Sequence, residues 1–154
     1  MIVTEYETNS PEETFELAKK LGENAKAGQV ITLSGSLGMG KTVFAKGFAA
    51  GLGIHTYVSS PTFTIMNAYE EGRLPLYHFD VYRVETVEEM YDVGYEEFFY
   101  GEGVCIIEWP EKIKSILPEN RLDVQFSRSL SKDFDYRKIK IIKEGYDSDD
   151  ISNR

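Results

Sequence analysis

Eight consecutive residues, Gly35-Ser36-Leu37-Gly38-Met39-Gly40-Lys41-Thr42, fit the pattern G-x-x-x-x-G-K-[ST] of a phosphate-binding P-loop. Glycines let the backbone curl so that successive N–H groups converge on phosphate oxygens. Lys41 adds a positive charge for the β- and γ-phosphates and is expected to face solvent or ligand. The Thr42 hydroxyl can ligate Mg²⁺. Such a site also needs acidic oxygens, and one or two carboxylates suffice because Mg²⁺ keeps waters. Asp80 follows Tyr77-His78-Phe79, and Glu108 follows Val104-Cys105-Ile106-Ile107; both end strand-like runs. Either could ligate Mg²⁺, directly or through water, or orient an attacking water. The plain alternative for each is an exposed strand-end acid. Thr62, in Ser60-Pro61-Thr62-Phe63, carries a hydroxyl that could reach Mg²⁺ or a γ-phosphate, or it could lie in an ordinary turn. Trp109, the single tryptophan, stands between Glu108 and Pro110. It could pack beneath the site or face a partner, and packing is the commoner role of such a residue.

These residues work only if a strand delivers the loop and a helix leaves it. Gln29-Val30-Ile31-Thr32-Leu33-Ser34 is β-rich and apolar, as a buried parallel strand should be. From Lys41 to Ala50, the pairs Phe44/Phe48 and Ala45/Ala49 recur at helical spacing, and Gly51 and Gly53 suit a helix end. The helix would then present the positive end of its dipole to the phosphates. Gly35, Gly38 and Gly40 also partly match a dinucleotide fingerprint, but Lys41-Thr42 and the spacing favour the P-loop.

Around this unit, residues 2–8 alternate as a strand. Ser10-Pro11-Glu12-Glu13 reads as a helix start with a capping box, and the helix runs to Ala27-Gly28. Residues 65–70 and 74–81 read as a hairpin with Gly72 at its turn. Thr86 is expected to cap a short helix, residues 96–100 another helical turn, and 110–117 a third short helix. Residues 122–127 and 136–143 look like a closing strand pair. The fold expected is α/β and P-loop NTPase-like: a mostly parallel central sheet flanked by helices, with antiparallel hairpin additions, in one domain over residues 1–143. The acidic segment 144–154 is expected to be a disordered tail.

The chain has 154 residues and a formal net charge of −9, so it binds nucleic-acid phosphate poorly by itself. DNA is not an expected ligand, and any tRNA would be held by another protein. No apolar run approaches the ~18 residues of a membrane span. The N-terminus lacks signal-peptide features. Cys105 is the single cysteine, so no intramolecular disulfide forms. These features favour the cytoplasm. Cys105 itself reads as an inert core thiol, and His55 and His78 lack the neighbours of a zinc site.

In order along the chain, Gly35–Thr42, Ser59-Ser60-Pro61-Thr62-Phe63-Thr64, His78-Phe79-Asp80-Val81-Tyr82-Arg83 and Ile106-Ile107-Glu108-Trp109-Pro110-Glu111 resemble the motifs of the TsaE (YjeE) family. These are small bacterial P-loop ATPases of tRNA threonylcarbamoyladenosine formation. The resemblance spans about residues 3–142. It implies ATP or ADP bound by Gly35, Ser36, Leu37, Gly38, Met39, Gly40, Lys41 and Thr42, with Thr42 and Glu108 on Mg²⁺ and Asp80 important for hydrolysis. It also implies a switch-like Thr62 and a functional Trp109. It places adenine near Asn9, Ser10 and Thr14, with Glu111 and Lys132 as candidates to cover the base. Ser36 and Met39 stand where the family usually has Asp and Ala.

The same resemblance implies an ATPase that works with a TsaB–TsaD pair. TsaD transfers the threonylcarbamoyl group, and ATP turnover resets the complex, so activity alone would be low. One competing reading is a small-molecule P-loop kinase. That enzyme would want an acceptor pocket and an Arg-bearing lid, whereas Arg73, Arg83, Arg121, Arg128 and Arg137 are scattered and no acceptor pocket is expected. Another is a nucleotide-binding module without catalysis, which Ser36 favours.

Overall fold

Four strands make the centre of the sheet: β2 (Val30–Ser34), β4 (Leu76–Asp80) and β5 (Val104–Glu108), with apolar side chains on both faces, and β6 (Arg121–Ser127), which is apolar on one. They run parallel, which is why both faces must be covered and why β5 is buried along its whole length. β1 (Ile2–Thr8), β3 (Met66–Tyr69) and β7 (Arg137–Glu144) add to the edges, giving the order β1-β7-β6-β2-β5-β4-β3. The computed structural model describes residues 1–36, 38–61 and 64–145. Of the six strand pairings there, three are parallel and three antiparallel. The centre is parallel, as expected; hairpin-type returns put β7 and β3 antiparallel at its flanks, and β1 joins β7 antiparallel.

One face carries α1 (Pro11–Glu23) and α2 (Lys41–Gly51); Ala18, Phe44, Phe48, Leu33, Ile106 and Val124 meet there. The other carries α3 (Glu88–Asp92), α4 (Tyr95–Phe99) and a 3₁₀ segment (Pro110–Ile116), over Val30, Phe79, Cys105 and Ile107. Alternation along each strand sends neighbours to opposite faces. α1 and α2 pack unusually closely. A Cβ on Gly47 would run into the Phe15 carbonyl, and one on Gly51 into that of Lys19. Each contact steps four residues along both helices, so the helices run parallel and both N-termini lie at the same end.

Smaller differences from expectation have local causes. α1 stops at Glu23, capped at Asn24, rather than running to Ala27. The Thr86 side chain caps nothing; instead the Glu89 carboxylate accepts the N–H groups of Glu85 and Thr86. Glu144 belongs to β7, and the rest of the acidic tail, from residue 146, lies outside the described residues. Among the described residues no helix is long and apolar enough to cross a membrane.

Candidate functional site

The four parallel strands all end on one side, and their C-terminal ends carry the candidate residues. β2 leads through Gly35 to Gly40, which caps α2 with φ 97°, a left-handed conformation that an L side chain rarely adopts. No described atom beyond the chain neighbours lies within 4 Å of a Cβ placed on Gly38 or Gly40, so the loop is open on that side near the N-terminus of α2. Ser36 and Thr42 are exposed there, while the Met39 side chain is buried in the core beneath. Such a curl next to a helix N-terminus suits an anion. Leu37, also assigned to the loop, lies outside the described residues.

Lys41, expected to face solvent or ligand, does not face solvent. It is only 5% exposed; its Nζ donates to the Gly35 carbonyl at 3.0 Å and lies 3.7 Å from the centre of the Trp109 ring. Burial lowers its pKa, opposed by the carboxylates of Glu108, Glu111 and Asp80. The ammonium is thus sheathed by an aromatic face rather than solvent-facing, because the long stem can lie along the loop while its head finds a carbonyl and a π face.

Asp80 and Glu108 are direct partners in the β4–β5 register. Glu108 is not an exposed strand-end acid: it is 4% exposed. Its Oε2 lies 2.7 Å from His78 Nε2 and accepts from Ser60 Oγ at 2.9 Å. Burial pushes its pKa up, but the His78 and Ser60 hydrogen bonds and the Lys41 charge outweigh this, and the net direction is down. Asp80 is half-buried and accepts the Tyr82 N–H at 3.0 Å. Burial raises its pKa, reinforced by the Glu108 charge. Sequence reasoning missed His78 and Ser60 as partners of Glu108. Two residues before Asp80, His78 must share its face of β4, and that spacing was the available signal. Ser60 is held in reach because Asn67 Nδ2 donates to the Ser59 carbonyl and the Ser59 N–H donates to the Tyr69 hydroxyl, both from β3. His78 Nδ1 is buried with no hydrogen-bond partner among the described residues.

Trp109 is half-buried with φ 64°, and among the described residues no other non-glycine has a positive φ. Its ring stacks at a tilt on Tyr82, centroids 4.9 Å apart. A cavity of about 430 Å³ opens beside it, lined by residues including Ser60, Asp80, Tyr82, Arg83, Glu89 and Trp109. An acceptor-sized pocket, unexpected from the sequence, therefore adjoins the strand ends. Ser10 spends its hydroxyl on the Glu13 N–H, completing the capping box that Glu13 returns to Asn9; the Thr14 hydroxyl meets that of Thr8 at 2.7 Å. Lys132 is exposed on the loop between β6 and β7, and Glu111 is exposed on the 3₁₀ segment. Thr62 lies outside the described residues. The structure thus brings Lys41, Asp80, Glu108 and Trp109 together, with Thr42 at the same strand ends.

Oxygen donors dominate this arrangement. A threonine hydroxyl and two carboxylates suit a hard cation such as Mg²⁺, which needs few protein ligands. Among the described residues no group of three or more His, Cys, Asp or Glu could hold a metal ion.

The family model for "Threonylcarbamoyl adenosine biosynthesis protein TsaE" matches residues 8–139. The tRNA threonylcarbamoyladenosine biosynthesis protein TsaE of Bacillus subtilis is 52% identical over 124 residues, 80% of this chain and 77% of that protein. The protein of the same name from Treponema pallidum is 46% identical over 112 residues, 73% of this chain and 82% of that one. The crystal structure of Bacillus subtilis YdiB superimposes with a TM-score of 0.78 at 42% identity, covering 94% of this chain and 87% of that one. The family match runs through every strand end described above, and the chain belongs to the TsaE family.

Proposed function

We propose that this chain binds ATP through a P-loop at Gly35–Thr42, with Mg²⁺, and hydrolyses it as a partner-gated component of tRNA threonylcarbamoyladenosine biosynthesis in the cytoplasm. The observation that carries this reading is the meeting of Lys41, Asp80 and Glu108 at one end of a parallel strand set, beside the N-terminus of α2. Ligands of open α/β sheets bind at that end. In this reading the N–H groups of the loop and Lys41 bind the phosphates, and Thr42, Glu108 and Asp80 hold Mg²⁺. Bound there, the ion would neutralise charge developing on the β- and γ-oxygens. Glu108, kept ionised by His78 and Ser60, is the standing negative charge. Asp80, opposite Glu108 in the register, sits where it can hold the ion through a water or orient an attacking water. Thr62 is assigned a switch role, and adenine a place near Ser10 with Lys132 beside it.

The partners proposed are TsaB- and TsaD-type proteins. A chain of net charge −9 is poorly suited to holding tRNA itself, so tRNA would be met only through the complex. The test is phosphate release with and without the purified pair at fixed salt: a slow isolated rate and clear stimulation are expected. A fast rate that the pair leaves unchanged overturns the reading. Trp109→Ala should lower the stimulated rate more than it lowers ADP affinity, because its ring covers Lys41 at the open side of the site.

A second reading, a small-molecule kinase, is favoured by the 430 Å³ cavity next to Asp80, with Arg83 in its wall. A screen for phosphorylated small molecules, run beside the phosphate-release assay, separates the two. Phosphate release without any phosphorylated acceptor favours the ATPase.

A further inference from the structure

We infer that Arg137, which no motif marks, is the residue that sets the phosphate-facing amides of the loop; the inference rests on the nucleotide reading above. Arg137 opens β7 and is 8% exposed. Arginines are seldom so buried without partners. Its bonds go to backbone carbonyls from two loops. Nε donates to Met39 O at 3.1 Å and Nη2 to Gly38 O at 3.4 Å; Nη1 donates to Phe134 O at 2.7 Å and Tyr136 O at 2.8 Å.

The consequence follows from peptide geometry. A trans peptide is planar, so its C=O and the next N–H point in opposite directions. Drawing the carbonyls of Gly38 and Met39 toward the guanidinium turns the N–H groups of Met39 and Gly40 away from it, which in this inference is the side where phosphate binds. Those are amides a P-loop directs at phosphate. A planar guanidinium can serve several carbonyls in a fixed fork, whereas an ammonium is a single point with rotating donors. Arg137 also ties the loop between β6 and β7 to the phosphate loop, since Phe134 and Tyr136 belong to the former. β1 buttresses it, with Thr8 its register partner. Arg137 touches no phosphate in this arrangement: it is a positioning residue, acting through the backbone of Gly38–Gly40.

The test compares ADP with adenosine. Calorimetric titration of the wild-type chain and of Arg137→Lys should show ADP affinity falling about tenfold or more, the scale of losing an oriented charge-assisted hydrogen bond. Adenosine, which has no phosphate, should bind both alike. A residue that merely staples β7 would lower the melting temperature and leave the ADP-to-adenosine ratio unchanged, and that result in a folded variant overturns the inference alone. Should the lysine variant fail to fold, amide NMR of the wild type decides. Inorganic pyrophosphate is expected to shift the Met39 and Gly40 amides, and unshifted amides in a chain that binds ADP overturn the inference. A wild type that binds neither ADP nor pyrophosphate overturns the nucleotide reading and this inference with it.

Discussion

Asp80 and Glu108 are two acids opposite each other at the ends of neighbouring parallel strands, yet their surroundings drive them apart. Glu108 is enclosed and hydrogen-bonded to His78 and Ser60, so it stays charged below the usual glutamate range. Asp80 is more open, but burial without comparable support holds its proton longer than an ordinary aspartate would. The lesson is that a carboxylate's position on the sheet does not set its chemistry; the donors around it do. Pairs whose environments separate their titrations are the pairs that divide acid–base labour.

The comparison breaks most sharply on stability. Glu108→Ala leaves the His78 ring and the Ser60 hydroxyl without their acceptor, and should cost about 3 kcal/mol in denaturant unfolding. Asp80→Ala removes a carboxylate that folding disfavours, and should stay within about 0.5 kcal/mol of the wild type or rise above it. Equal losses would erase the distinction. The isosteric pair completes the test: Glu108→Gln and Asp80→Asn should both lose Mg²⁺-dependent turnover in the partner assembly while ADP still binds.

The next effect is a dependence on pH with opposite signs. Glu108 has a folded pKa below its ordinary value of 4.5, so its stabilisation is present above that value and is lost as pH falls through the folded value. The advantage of the wild type over Glu108→Gln should therefore shrink on acidification below about pH 4.5. Asp80, raised above its ordinary 3.8, imposes a cost that is absent at lower pH and complete above its folded value. Asp80→Asn should thus gain on the wild type as pH rises. Melting curves of the three chains from pH 3 to 7 read both signs at once.

Trp109 sharpens the comparison at the residue after Glu108. Its backbone is left-handed, a conformation that costs a side-chain-bearing residue about 1–2 kcal/mol and glycine almost nothing. Trp109→Gly and Trp109→Ala both remove the ring, but the glycine variant should be the more stable by about 1 kcal/mol. Equal melting would mean the turn relaxes once the ring has gone. The smallest effect lies at Cys105, three residues before Glu108 in β5. Burial alone pushes the Cys105 thiol up to about 12. Iodoacetamide at pH 8 should leave the native chain unlabelled and modify it only after unfolding. Labelling of the native chain would show that burial in β5 is too weak to have raised Glu108 without its donors.

Much of this site was legible because its signals are local. The Gly35–Thr42 spacing, the apolar run before it, the Phe44/Phe48 periodicity after it and the Ser10/Glu13 cap each depend on residues within one element. The ends of β4 and β5 were legible as well, since apolar runs stop at Asp80 and Glu108. What stayed hidden depends on contacts between elements distant in sequence. Ser60 and His78 reach Glu108 from positions 48 and 30 residues away. Arg137 reaches the phosphate loop across 98 positions, and no period or spacing marks such a contact. The burial of Lys41 is hidden for the same reason: Trp109 lies over it only because β5 ends beside α2. The pairing of β1 with β7 is hidden likewise, since more than 120 positions separate the two strands.

The glycine contacts between α1 and α2 have a mechanical consequence. Where each helix rests on the other's backbone, with no side chain between them to bend, the pair has no slack. A load on the outer face of α1 would reach the start of α2, and with it Lys41, almost undamped. One methyl group at Gly47 would turn that stiff coupling into a loose one.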